Sequence, residues 1–283
     1  MTENAADKAN TQRMTVVVTG ASGRTGSRVA EAARGAGLTV RAASRAQGFD
    51  WENPTTWAQT LRDADAAYLM YPSDVGSPAA AEGVGALARE AVGLGVRRLV
   101  LLSARGEDQA LPTEEALKSS GADWTIVRAA WFAQNFSEGP LVEGMVHGEL
   151  VFPAGEVKEP FIDVRDIADV VTAVLTSGDR HVGRALELTG PRLLPWREAV
   201  AEISGATGST ITYTPVPTAA YGEALQGFGV PAEEAELLVE VFETLMDGRN
   251  AHLTDDVREV LGRAPRDFTD FVREAAAAGA WKA

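Results

Sequence analysis

The chain contains no cysteine and only three histidines, His147, His181 and His252, in 283 residues. Disulfides, thiolate nucleophiles and cysteine-based metal sites are excluded, and three imidazoles this far apart make no metal set. Metal-free chemistry is the expectation. No run approaches the roughly 20 consecutive apolar residues of a membrane-spanning helix. Basic residues are in deficit, 26 against 40 acids, for a net charge of −14. A nucleic-acid partner, which needs a basic face to neutralise phosphates, is therefore not expected. None of the four tyrosines (Tyr68, Tyr71, Tyr213, Tyr221) has lysine four residues later. That offset would let lysine lower the tyrosine pKa, so a tyrosine–lysine pair for proton transfer is missing. Met1 to Gln12 are polar and alanine-rich, with no apolar core or basic leader. They read as a loose tail on a cytoplasmic protein.

What the chain does have is a phosphate cradle. Val16-Val17-Val18, short and β-branched, runs into Thr19-Gly20-Ala21-Ser22-Gly23-Arg24-Thr25-Gly26 and then into a helical stretch. A strand that breaks at glycine and restarts as a helix aims free N–H groups and a positive dipole end at an anion. The glycines have separable tasks. Gly20 makes the turn, Gly23 admits a pyrophosphate to the backbone, and Gly26 lets the helix approach the sheet. Gly20, Ser22, Gly23, Arg24, Thr25 and Gly26 are thus the first candidate cofactor-binding residues.

Five apolar strand-like runs, Met14 to Thr19, Leu38 to Ala43, Ala66 to Met70, Arg98 to Leu102 and Trp124 to Val127, alternate with helical stretches. The alternation predicts an α/β fold: a Rossmann-type, doubly wound parallel sheet with helices on both faces. Beyond about residue 135 the pattern loosens. A hairpin is expected through Gly148 to Lys158, a helix after Phe161 to Asp166, strands at Leu186 to Leu188 and Thr210 to Thr214, and a mostly helical end. Leu237, Leu238, Val241, Phe242, Leu245 and Met246 share one face of a helix starting near Pro231, and Thr254 is a candidate cap. Residues 1–13 are read as tail, 14–150 as the dinucleotide-binding core, and 151–283 as remaining core elements plus a small, helical substrate lobe.

In such a sheet ligands lie beyond the carboxyl ends of the strands. After the second strand the chain offers Ser44 and Arg45, with no acid for the ribose hydroxyls of NAD(H). A hydroxyl and a guanidinium suit a 2′-phosphate, so NADP(H) is expected over NAD(H). Arg28 and Arg34 read as solvating a helix face, and Asp50 as either an adenine contact or a turn cap. Met70, Tyr71, Pro72 and Ser73 follow the third strand, and Ser103 the fourth. Met70, Tyr71, Pro72, Ser103 and Ala129 are expected against the ribose and nicotinamide. Trp131, Phe132 and Asn135 are candidates to wall a pocket for a flat or apolar substrate, with core packing the alternative for Trp131. Glu114 and Glu115 are read as solvated helix charges rather than proton donors. No catalytic residue is assigned.

Several blocks then combine. Thr19 to Gly26, Ala43-Ser44-Arg45, Thr125 to Arg128 with Trp131-Phe132 and Asn135-Phe136, Phe161 to Ala168, and Leu188 to Pro191 resemble the atypical short-chain dehydrogenases called NmrA-like proteins. Phe49-Asp50-Trp51 with Thr56-Trp57, Leu101 to Ala104, and Phe228 to Pro231 are similar to the ergot alkaloid dehydrogenases of the festuclavine and agroclavine type. The resemblance spans about residues 14–275. It implies NADPH-dependent reduction of a carbon–nitrogen double bond or a related small unsaturated substrate, without the tyrosine–lysine pair. An iminium, already cationic, accepts hydride without a proton on nitrogen. Pro112, Glu114 and Ala116 stand where the family often carries lysine, histidine or tyrosine, so substrate identity does not transfer. The same family includes quinone reductases and non-catalytic proteins that sense the cofactor's redox state, and the latter is the alternative reading.

Overall fold

Val16, Val17 and Val18 are wholly buried because the strand they form lies inside a sheet covered on both faces. The computed structural model describes residues 13–282 except 73 and 140, so the tail of residues 1–12 and the expected contribution of Ser73 lie outside the described residues. In chain order the elements are β1 (Thr15–Thr19), α1 (Arg24–Gly35), β2 (Thr39–Ala43), α2 (Trp57–Leu61), β3 (Ala66–Leu69), α3 (Pro78–Gly93), β4 (Arg98–Ala104), α4 (Leu111–Lys118) and β5 (Asp123–Ala129). Then come α5 (Asn135–Glu138), α6 (Val142–Val146), β6 (Glu149–Phe152), β7 (Lys158–Glu159), α7 (Val164–Thr176), β8 (Arg184–Leu188), β9 (Leu194–Pro195) and α8 (Trp196–Thr207). The chain closes with β10 (Thr212–Pro215), α9 (Thr218–Gly227), α10 (Ala232–Leu245), α11 (Asp256–Leu261) and α12 (Phe268–Ala278).

Six strands pair in parallel in the order β2-β1-β3-β4-β5-β8. This is the expected Rossmann-type α/β sheet. Strand order reverses between β1 and β3, and that crevice is where a doubly wound sheet takes its ligand. Thr19 holds the crevice in register. Its buried hydroxyl accepts from Met70 N at 2.7 Å and lies 3.2 Å from both the Tyr68 and Met70 carbonyls. One face of the sheet packs on α1 and α7 and the other on α2, α3 and α4.

A third apolar cluster gathers around Trp196, which is wholly buried and stacks on Phe152 with ring centroids 4.4 Å apart. That cluster explains why the expected hairpin through Gly148 to Lys158 does not form. β6 pairs in parallel with β10, and β7 pairs antiparallel with β9. The long-range pairing buries Leu150 and Phe152 among aromatics, which a fold-back onto the polar Glu156-Val157-Lys158 segment would not supply. Thr254 likewise does not cap a helix. Its hydroxyl donates to the Glu187 carbonyl and its N–H to Thr189 Oγ1 at 3.2 Å, stitching the start of α11 to β8. On α10, Val241 and Met246 are buried as expected, but Leu237 is exposed.

Candidate active site

The turn after β1 has the shape that its glycines predict. Gly20 adopts φ +62°, Gly23 N–H bonds to the Gly20 carbonyl at 2.8 Å, and Gly23 precedes α1 in extended conformation. A Cβ on Gly20 would overlap Met70 Cε, and one on Gly26 would overlap the Gly20 carbonyl. The first turn of α1 contains no acid, so its free N–H groups face the crevice with their positive field unopposed. These features fit a dinucleotide pyrophosphate.

From this cradle a cleft of about 400 Å³ runs past the ends of β3, β4 and β5. Of the expected residues it gathers Arg24, Thr25, Met70, Tyr71, Ser103, Ala129, Trp131, Phe132 and Asn135. Gly20, Ser22, Gly23 and Gly26 form the turn beside it, and Pro72 and the Ser44–Arg45 pair are not among its lining residues. Arg24 and Asn135, assigned to opposite ends of the ligand, are joined by a hydrogen bond from the guanidinium to the Asn135 side-chain oxygen Oδ1. Burial lowers the Arg24 pKa from its ordinary value. Trp131 is both wall and packing: it lines the cleft while its ring meets Trp196, Phe152 and Phe242 edge-on or tilted. Tyr71 packs against Trp51 at 5.1 Å.

At the end of β2, Ser44 bonds to the Gln47 side chain, while Arg45 is exposed and has no ion pair among the described residues. Asp50 is a turn cap, accepting from Glu52 N–H at 3.0 Å. Arg28 does more than solvate a helix face. It grips the Glu138 carboxylate through two contacts, of 2.5 and 3.0 Å, and ties α1 to α5.

Glu114 corrects the reading of α4. It is 1% exposed, and Arg128 grips it from β5 at 2.8 Å and 2.6 Å, while the Ser103 hydroxyl donates to it at 2.7 Å. An isolated carboxylate in a sequence looks solvated, whereas here β5 brings a guanidinium to it. The bond raises the Arg128 pKa above its ordinary value. Ser103 is therefore committed to this buried pair. Glu115 is the exposed one and pairs with Lys118.

The remaining wall of the cleft carries no local motif. Asp74, Arg105, Glu107, Glu159, Leu245, Met246 and Asn250 all line the cleft. Arg105 is 3% exposed, held by Glu187 at 3.0 Å and by the Asn250 carbonyl at 2.8 Å. Burial and the neighbouring Asp74 carboxyl push Glu107 up to about 8. Burial pushes Glu159 up to about 7 against the opposing pull of Arg105. The nearest thing to a signal for Glu159 was its place just before the apolar Phe161-Ile162.

Comparison with known proteins agrees with this geometry. Residues 20–178 match an NAD(P)H-binding family and residues 108–271 match the NmrA-like family. An agroclavine dehydrogenase of Claviceps purpurea is 30% identical over 95% of this chain and 99% of its own. An uncharacterized oxidoreductase of Bacillus subtilis, YesF, is 29% identical over 93% and 95%. The fold matches that of Citrobacter sp. triphenylmethane reductase complexed with NADP(H), with a TM-score of 0.74 over 93% of this chain and all of that one, at 18% identity. The glycine cradle, the switch-point cleft and these matches give one conclusion: the chain belongs to the NmrA-like family of NAD(P)H-binding proteins.

Proposed function

We propose that the protein is an NADP(H)-dependent reductase that delivers hydride to a small unsaturated substrate, imines and iminium ions before quinones and enones, in the cytoplasm. The coarser class is NAD(P)H-dependent oxidoreductase, the class named for its relatives. One observation carries the reading: a single cleft joins the phosphate cradle to a chamber walled by Trp131, Phe132, Leu245 and Met246, with carboxyl groups among them. The bound reduced cofactor supplies the hydride. The chain's residues supply the rest. The first turn of α1 and Arg24 hold negative charge, Met70 and Ala129 line the cleft between the cradle and the chamber, and the apolar wall excludes water. Holding two reactants in register in this way contributes roughly 7–11 kcal/mol in favourable cases.

NADP(H) is favoured over NAD(H) by the free Arg45 guanidinium and by the lack of a carboxylate at the end of β2. The non-catalytic sensor is the weaker reading, because a sensor has no need of a substrate chamber lined with unpartnered polar groups. The deciding experiment follows NADPH and NADH oxidation against cyclic imines, iminium salts, quinones and enones, with cofactor affinities in parallel. Turnover with NADPH is expected, and tight binding without turnover across the panel would replace the reductase by the sensor.

A further inference from the structure

Buried polar atoms in folded proteins nearly always have a hydrogen-bond partner. Ten buried side-chain atoms lack one among the described residues, and five of them belong to residues of the cleft. Four lie on Arg105, Glu107, Trp131 and Glu159, at the chamber end: Nη2, Oε1, Nε1 and Oε1 respectively. Leaving such groups unpaired costs roughly 1–3 kcal/mol each, so their concentration in one chamber marks hydrogen-bonding capacity held for a ligand.

Among the four, Glu159 has the geometry of a proton donor. It is 2% exposed on the two-residue strand β7, with neither carboxyl oxygen bonded to any described residue. Its own strand neighbour Lys158 is exposed and pairs with Pro195, and its partner on β9 is Leu194, which does not titrate. The charged group that acts on it is Arg105 from the segment after β4, itself held by Glu187 of β8, while Glu107 and Asp74 line the same cleft. Burial favours the neutral carboxyl. Arg105, anchored by Glu187 and the Asn250 carbonyl, keeps Nη2 free to receive the carboxylate once its proton has gone.

We propose that Glu159 is the general acid of this cleft, giving its proton to the heteroatom of a neutral conjugated acceptor as hydride reaches the acceptor's carbon. The inference rests on the reductase reading. In the step a C–H bond forms from the hydride and its electron pair, and the substrate π bond breaks toward oxygen or nitrogen. That atom takes the Glu159 proton, and the carboxylate left beside Arg105 is reprotonated from solvent water. The substrate class therefore extends to neutral acceptors that need a proton, with fixed iminium cations as the case that does not.

The test pairs a conjugated enone with an N-alkylated cyclic iminium salt, in wild type and Glu159→Gln, with NADPH fluorescence to confirm that the variant is folded and binds. General acid catalysis contributes roughly 10²- to 10⁴-fold. The variant should therefore lose at least about a hundredfold in kcat/KM on the enone, lose the wild-type fall in rate above about pH 7, and keep iminium turnover within a few-fold. Independently of activity, infrared titration of the cofactor-free protein should show two protonated carboxyl bands above the ordinary carboxylate range, that of Glu107 persisting to about pH 8 and a second, lost near pH 7, that is absent from the variant. Should the variant not fold, Glu159→Asp takes its place in the infrared difference titration, and the contrast between the wild type's two pH profiles decides the matter. Equal loss on both substrates, no loss on either, or a band that disappears in the ordinary carboxylate range overturns the proposal. A wild type that reduces only the iminium overturns it while sustaining the reductase. A wild type that turns over neither removes the reductase reading and the acid's role together.

Discussion

Gly26→Ala sets two effects of known size against each other. Alanine is favoured over glycine inside a helix by about 0.8–1.0 kcal/mol, and Gly26 is the third residue of α1. Its new Cβ, however, would lie 2.6 Å from the Gly20 carbonyl carbon and 2.9 Å from the Thr19 carbonyl oxygen, and closer still to the Gly20 oxygen. All three are backbone atoms, so no side chain can swing aside and the helix start must lift from the sheet by about 1 Å. Overpacking of this kind costs about 1–3 kcal/mol, and backbone on both sides places it at the upper end. The net is a loss of about 2 kcal/mol, or a Tm lower by about 4–8 °C at the sensitivity of a chain this long. The same displacement pulls the first-turn N–H groups away from the pyrophosphate. Losing one hydrogen bond to a charged group, worth about 1.5–3 kcal/mol, weakens NADPH roughly tenfold to a hundredfold. Differential scanning fluorimetry and NADPH fluorescence titration measure both. Gly35→Ala, at the other end of α1 with nothing within 4 Å of its Cβ, is the control and should stabilise by up to about 1 kcal/mol. A Gly26→Ala protein as stable as wild type with undiminished NADPH affinity would refute the cradle.

Arg45→Ala should weaken NADPH far more than NADH in parallel titrations, and equal loss of both would remove the NADP(H) preference. Folded Glu159 keeps its proton up to about 7, whereas the unfolded carboxyl releases it near 4.5. Between those values the folded state binds more protons, so this residue's contribution falls as pH rises, by an amount on the order of 3 kcal/mol. Urea denaturation should therefore show the stability of Glu159→Gln relative to wild type increasing from pH 4.5 to pH 7, and a constant difference would contradict it. Asp166 is wholly buried and ion-paired to both Arg263 and Arg266. Replacing both arginines by alanine strands its charge and should cost about 3–5 kcal/mol by denaturant titration. Phe228→Ser at the exposed tip between α9 and α10 should change stability by less than about 0.5 kcal/mol.

The cofactor half of the site was legible because its chemistry is carried by backbone. A strand, a glycine turn and a helix N-terminus are consecutive in the chain, and Gly20 to Gly26 announce them through the apolar strand before and the helical stretch after. The serine and arginine after β2 could be picked out for the same reason, since the end of a strand is a local position, but neither is among the residues that line the cleft. The substrate half was not. Glu114 read as solvated because nothing near it in sequence is its partner; Arg128 reaches it only through the pairing of β4 with β5. The hairpin expectation failed in the same way, when a local signal lost to aromatic packing between segments about 60 residues apart.

By itself, the order of apolar runs and glycines determined the parallel α/β sheet and the place of the glycine turn, because each depends on neighbours along the chain, and the lack of cysteine excluded disulfide and thiolate chemistry outright. Only the tertiary structure decided which acids are buried. Glu107 and Glu159 are ordinary surface-type residues until strands and loops from separate parts of the chain close over them, remove their water and leave Arg105 and Trp131 beside them. Desolvation is a property of the assembled cleft, and no residue's own neighbours in sequence encode it.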